Sequence, residues 1–272
     1  MIKNVLKILL MVLFLIGCSS GSSEEGSPDP VVVEAKTLLR VEGSDQYDKL
    51  YFYFENDKLI KIINYQTWKD FHQLIYQENI LKSVILANPE HGGGNYESYN
   101  DFSFDLANCV DCLKYDYEYS NGKISFIRKD GIVVGEYKYD GENLGEYKFY
   151  IDGELHRKLL FSYQDGKLHQ YSITEYYAGE SSSSIFNVVL DDKINPFFKV
   201  GVETGIYIPN APSIFSKKRL NVNFIPNNVT SISDSDGNEI FKVVYQYDAD
   251  NYPISYELLA QDVQDSGVFI YE

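Results

Sequence analysis

Residues 115–168 read YDYEYSNGKISFIRKDGIVVGEYKYDGENLGEYKFYIDGELHRKLLFSYQDGKL, and the spacing of their turns decides the fold. Asn121-Gly122, Asp130-Gly131, Asp140-Gly141, Asp152-Gly153 and Asp165-Gly166 start 9, 10, 12 and 13 residues apart. Asn-Gly and Asp-Gly accept the positive φ angles of a type I′ turn, whose twist matches two antiparallel strands. Pairs this close leave room for turn and strand and little else, which is a β-meander. The segments between them alternate. Tyr115, Tyr117 and Tyr119 share one face, while Lys114, Asp116 and Glu118 share the other. Tyr137 and Tyr139 oppose Lys138 and Asp140, and Tyr147 and Phe149 oppose Lys148. A period of two with aromatics on one side makes a sheet with one covered and one wet face.

The same unit extends in both directions. A string of the form Tyr-x-Tyr-x-x-Gly-Lys-Leu/Ile recurs, cleanest in 115–124 and varied in 51–59 (YFYFENDKL), 137–144 (YKYDGENL) and 160–168 (LFSYQDGKL). Residues 241–256 (FKVVYQYDADNYPISY) close the series, with a further turn pair at Asp236-Gly237. Helical patterning is nearly absent, and only the stretch around Trp68 to Glu78 is ambiguous. The expected class is all-β: an antiparallel meander of short hairpins forming a strongly curved sheet, half-barrel or barrel. With turns so close, strands near the common length of about 5–6 residues are expected. Membrane-spanning strands need about 9–11, so this spacing favours a barrel that does not cross a bilayer.

These units resemble the YD repeat of bacterial Rhs-type shells, and of short arrays in Bacteroidetes lipoproteins of unknown function. Asp191-Asp-Lys-Ile-Asn-Pro-Phe197 is similar to that family's YDDKxNPF segment, with Leu190 where the family usually has Tyr. Asn227–Ile232 and Tyr245–Pro253 resemble its final hairpin, and the resemblance covers most of residues 47–257. It implies a fold and a location. It brings no activity, no cofactor and no catalytic residue.

The N-terminus has the order of a secretory signal: basic Lys3 and Lys7, nine apolar residues from Ile8 to Ile16, then Gly17 and Cys18. That run is too short to span a bilayer, which takes about 20 residues, and suits a signal peptide. Leu15-Ile16-Gly17-Cys18 resembles the lipobox of bacterial lipoproteins, which implies cleavage before Cys18 and lipidation of it. Residues 18–30 hold no apolar residue after the cysteine and read as a flexible tether. The division expected is a signal peptide at 1–17, a lipidated tether at 18–30 and a single β domain at 31–272. Ser19 resembles outer-membrane sorting, and Glu24-Glu25 resembles a surface-export signal. The implied place is the outer membrane, lipid-anchored, on its cell-surface or periplasmic face.

The net charge of −16 becomes −18 once Lys3 and Lys7 are removed. Such a chain repels phosphate backbones, which argues against nucleic acid, and it avoids anionic lipid surfaces, so the acyl anchor at Cys18 must supply the membrane attachment. Candidate chemistry is sparse. Cys109-Val-Asp-Cys112 lacks the helix that would activate a thiol and a second ligand pair for zinc, so it reads as a disulfide at a turn. Asp234-Ser-Asp-Gly-Asn-Glu239 has oxygen ligands at tight spacing, but its Gly is fourth rather than sixth, where a hairpin needs it. Asp191-Asp192 and Glu24-Glu25 are pairs expected by chance in a chain with 40 acidic residues. The histidines at 72, 91, 156 and 169 are scattered, and Ser181 to Ser184 reads as a loop. No metal site, cofactor site or catalytic residue is assigned.

Two long excursions break the meander. Residues 88–108 carry Tyr96, Tyr99 and Phe102, and residues 199–220 carry the basic Lys217-Lys-Arg219. Long insertions on a regular scaffold are where binding usually resides, so Tyr96, Tyr99, Phe102 and Trp68 are candidate ligand contacts. The function expected is a non-enzymatic, membrane-tethered binding or scaffold module for a glycan, a peptide or an outer-membrane protein. The alternatives are an envelope hydrolase with carboxylates assembled in space, or a purely structural surface component.

Overall fold

The computed structural model describes residues 36–44, 49–65, 69–87, 112–204, 224–260 and 263–272. Its strands are β1 (Leu38–Gly43), β2 (Lys49–Glu55), β3 (Lys58–Tyr65), β4 (Lys69–Gln77), β5 (Ile80–Ala87), β6 (Leu113–Ser120), β7 (Lys123–Lys129) and β8 (Ile132–Asp140). They continue as β9 (Asn143–Ile151), β10 (Glu154–Gln164), β11 (Lys167–Tyr177) and β12 (Glu180–Ile194). A helix α1 (Phe197–Thr204) follows, and then β13 (Asn227–Asp234), β14 (Glu239–Tyr247), β15 (Pro253–Ala260) and β16 (Val263–Tyr271). Among the described residues these sixteen strands pair antiparallel with their sequence neighbours, and β1 pairs with β16 to close a barrel.

The turns form as their residues dictate, with one shift. Asn121-Gly122, Asp130-Gly131, Asp152-Gly153 and Asp165-Gly166 all take positive φ, as do Asn56-Asp57 in the first copy. The third turn of that series is Gly141-Glu142 rather than Asp140-Gly141, because Gly141 alone there takes positive φ and Asp140 ends β8. That shift places Tyr139 two residues before its turn, in register with Tyr76, Tyr119 and Tyr163.

A second regularity was not visible in the alternation. In each of seven hairpins the third residue after the turn is skipped in the pairing: Ile60, Lys82, Ser125, Val134, Gly145, His156 and His169. Each is a β-bulge. Inward residues there fall three apart instead of two, as in Leu59 and Ile62, Ile124 and Ile127, or Leu168 and Tyr171. Bulges bend strands and increase their twist, which supplies the curvature that closes the sheet.

The strands are longer than the turn spacing suggests. Two-residue turns use so little chain that β8 and β9 run 9 residues, β10 and β11 run 11, and β12 runs 15. Strand length therefore does not separate this barrel from a membrane-spanning one, and the polarity of its two faces has to. Ser181 to Ser184 belongs to β12, not to a loop, and Thr174 and Ser183 share a hydrogen bond of 2.9 Å across the strand pair. The ambiguous stretch before Glu78 is strand β4, with Trp68 outside the described residues.

The faces divide cleanly over β6–β10. Tyr115, Tyr117, Ile127, Tyr137, Leu159 and Phe161 point inward and are buried in one continuous core. Lys114, Asp116, Glu118, Arg128, Glu136, Lys138, Glu146 and Lys148 point outward. Outward charges are organised as a ladder. Lys148 lies 3.2 Å from Glu136 and 3.3 Å from Glu146, and Lys158 reaches Glu146 at 3.3 Å. Tyr150 donates its hydroxyl to Glu136 at 2.7 Å, which with Lys148 holds that carboxyl below its usual range. Elsewhere the outer face is less polar: on β2–β4 Ile63 and Phe71 are buried as a separate small cluster with Tyr51 and Tyr53, and Leu160, Ile185, Val189, Val244, Leu259 and Val268 stand outward and exposed.

Candidate functional site

The repeat unit explains where the tyrosines go. Two residues before three of the turns at one end of the barrel stands a tyrosine whose hydroxyl reaches the previous hairpin. Tyr76 donates to the Leu59 carbonyl at 2.8 Å, Tyr119 to Leu81 at 2.9 Å and Tyr163 to Leu144 at 3.0 Å. Tyr245 and Tyr271 make the same bond to Val229 and Pro253, at 3.3 and 2.7 Å. The lysine after the turn reaches the other way. Lys123 donates to the Gly141 carbonyl at 2.5 Å, pairs with Glu142 at 3.0 Å and lies over the Tyr139 ring, 5.2 Å from its centre. Lys58 repeats this on Asn79 and the Tyr76 ring. Tyr119-Ser-Asn-Gly-Lys-Ile124 is thus a fastening unit: the tyrosine ties backward, the lysine forward, and the isoleucine fills the core.

At this end the regular series is interrupted between β12 and β13. Asp191 accepts from the backbone N–H of Lys193 (2.9 Å) and Asn228 (3.1 Å), from the Asn228 side chain, and from the Tyr247 hydroxyl. Asn195 is the next clip. Its side chain donates to the Ile225 carbonyl at 2.7 Å and accepts from the Phe197 N–H at 3.0 Å, capping α1. Pro196 follows at the start of the helix, where its missing N–H does no harm. Phe197 then packs edge-on against Phe52 and Phe269 from the barrel wall, and Val200 is buried beside it. Asp191-Asp-Lys-Ile-Asn-Pro-Phe197 is accordingly an architectural segment. Asp192, the other half of the carboxylate pair, is exposed and pairs with Lys193 at 3.3 Å.

Helix α1 covers the side of β2, β3 and β16. Over β6–β11 a cavity of about 420 Å³ remains. Its floor is Ile124, Leu144 and Leu168, each two residues past its turn; Leu190, Phe224 and Ile225 complete the apolar wall. Its rim holds three tyrosines in equivalent repeat positions, Tyr119, Tyr139 and Tyr163, with Lys123, Glu142, Asn143 and Lys167. Burial pushes all three phenols up to about 12, so they remain protonated O–H donors at neutral pH. Tyr119 and Tyr163 spend that proton on their backbone ties. Tyr139 has no such tie among the described residues and is the most exposed of the three, at 36%.

Cys18, Trp68, Tyr96, Tyr99, Phe102, Cys109 and Lys217–Arg219 fall outside the described residues. Cys112 is disulfide-bonded, with its partner also outside them. The excursion after β12 begins with α1, a helix that the sequence pattern did not announce. Asp234 organises a hairpin loop rather than an ion site: it accepts from the N–H groups of Asp236 and Asn238, both at 2.9 Å, and from the Asn238 side chain at 2.9 Å. Those donors, the Asn238 side chain first, hold its carboxyl below the usual range. No cluster of three or more His, Cys, Asp or Glu suited to a metal occurs among the described residues. The cavity was missed because its rim is made of residues that recur throughout the repeat. The one signal for it was the break in the repeat after Lys167.

No protein-family model matches the chain, and no curated protein matches its sequence. Among solved structures it is similar to a porin-like protein from Bacteroides uniformis, at 10% identity and a TM-score of 0.38, over 86% of this chain and 98% of that one. A likeness at that level says nothing about what this chain does.

Proposed function

We propose that this chain is a lipid-anchored envelope protein whose barrel stands in water and binds a small ligand in the cavity at its α1 end. The observation that carries this reading is the polarity of the wall. A membrane-spanning barrel is apolar outside and polar within, and each Lys or Arg near the middle of its lipid face costs about 2–4 kcal/mol. Over β6–β10 the order is reversed. Tyr117, Ile127 and Leu159 fill the interior, while Lys138, Lys148 and Glu146 stand mid-strand on the outer face. Barrels of about 16 strands leave an aqueous channel when they act as porins. This one is packed with aromatic side chains and covered by α1 on part of one end. Membrane attachment then falls to Cys18, whose setting resembles a lipobox, and the location proposed is the outer membrane.

A cavity of about 420 Å³ is within the range of small-molecule sites. Its apolar floor and limited set of rim donors fit binding better than catalysis, since the nearby carboxylates are committed: Glu142 to Lys123, and Asp191 to its backbone clip. The test is a thermal-shift screen of glycans, peptides and small amphiphiles against the mature chain and against Glu142→Trp, which crowds the rim from an exposed position. A ligand that raises Tm for the first and not the second supports the reading. A ligand that raises both equally places binding elsewhere.

A further inference from the structure

Resting on that reading of the cavity, we infer that its ligand is a single-chain amphiphile with an anionic head, the tail lying on the apolar floor and the head meeting Lys167. The inference starts from the repeat. A lysine one residue past the turn reaches forward to the next hairpin, as Lys58 and Lys123 do. Lys167 holds the same position in the β10–β11 hairpin, but the series breaks beyond it: β12 leads into α1, with no two-residue turn and no tyrosine two residues before it. Lys167 therefore has no ion pair and no hydrogen bond among the described residues, although it lines the cavity.

An uncommitted ammonium at the rim of an apolar cavity, in a chain of net charge −16, selects for a negative ligand group. The hydroxyl of Tyr139, also on the rim and without a hydrogen bond among the described residues, is a donor for the same head. Below the rim the wall offers Ile124, Leu144, Leu168 and Phe224 and no charge, which suits a hydrocarbon tail. Lys36, at the start of β1, pairs with Asp248 on the turn between β14 and β15, which belongs to this same end.

The test uses the full mature chain with Cys18→Ala, which removes only the lipid, and calorimetric titration of decanoate, decanol and decylamine below their micelle concentrations. Decanoate is expected to bind saturably and about tenfold more tightly than the other two, the margin of one charge-assisted contact. Lys167→Met should bring decanoate to the level of decanol, while Lys242→Met, on the outer face of β14, should change nothing. Equal binding of decanol and decanoate, or an unchanged Lys167→Met, would overturn the anionic head and leave the cavity as a site. Failure of all three to bind would overturn the cavity itself.

Discussion

Tyrosines make up 24 of the 272 residues, and the positions of their hydroxyls separate two roles for one residue type. Tyr163 ties its hairpin to Leu144, so Tyr163→Phe should lower stability by about 1 kcal/mol in chemical denaturation. Tyr139→Phe should leave stability unchanged, because no tie is lost. Reversed results would remove the basis for treating Tyr139 as free to meet a ligand. His72 gives a separate prediction. It points inward, its Nε2 has no hydrogen-bond partner among the described residues, and burial drives the imidazole from 6.5 down to about 4. The folded chain thus resists a proton that the unfolded chain accepts. The stability is complete above about pH 6.5 and is lost as pH falls toward 4, by roughly 3 kcal/mol. His72→Leu should flatten that part of the urea-midpoint profile between pH 7 and 4.5. An acid limb as steep as in the parent would show that other groups carry it.

Individual elements owe their boundaries to a few polar clips. Asp191 satisfies Asn228 and Tyr247 at once, so Asp191→Ala leaves several buried donors unpaired and should cost about 2–3 kcal/mol by denaturation. Closure between β16 and β1 depends on Gly267, which pairs with Gly43. A Cβ there would stand 2.5 Å from the Glu42 carbonyl oxygen and 2.7 Å from the Tyr256 ring. Gly267→Ala should therefore loosen the closing seam, with faster amide exchange in β1 and β16 than in β7–β10. Uniform exchange would place the seam's stability elsewhere. This is also the scale at which sequence reading was most and least informative. The turns at Asn121-Gly122 and Asp165-Gly166 and the inward tyrosines of β6 were legible, because turn chemistry and alternation are local. The bulges were not, because Ser125 and His169 differ from their neighbours only in pairing. Helix α1 was not, because eight residues held by the Asn195 cap and Phe197 packing carry too little periodicity to announce themselves. The cavity depends on a repeat that fails once, and that failure has meaning only when the ring of hairpins is closed.

For the barrel as a whole, one question governs the rest: which face meets water. Net charge, the outward ladder of Glu136, Glu146 and Lys148, and the aromatic interior support the proposal that it is the outer one, exposed Val189 and Val244 on β12 and β14 weigh the other way, and strand length is indifferent. The charge ladder adds a pH signature. Glu136 and Glu146 are held below their usual range despite the burial that raises Glu146, because lysines and Tyr150 donate to them. Their support is present above the ordinary carboxylate range and fades as pH falls through their lowered values. Residues 19–272, produced without signal or lipid, folded in detergent-free buffer and floated with phospholipid vesicles on a density gradient, provide the most direct test. The chain should remain in the aqueous fraction with β-type circular dichroism and a cooperative thermal transition. Folded protein rising with the vesicles and resisting alkaline extraction would show that the outer wall accepts lipid, and would contradict the account.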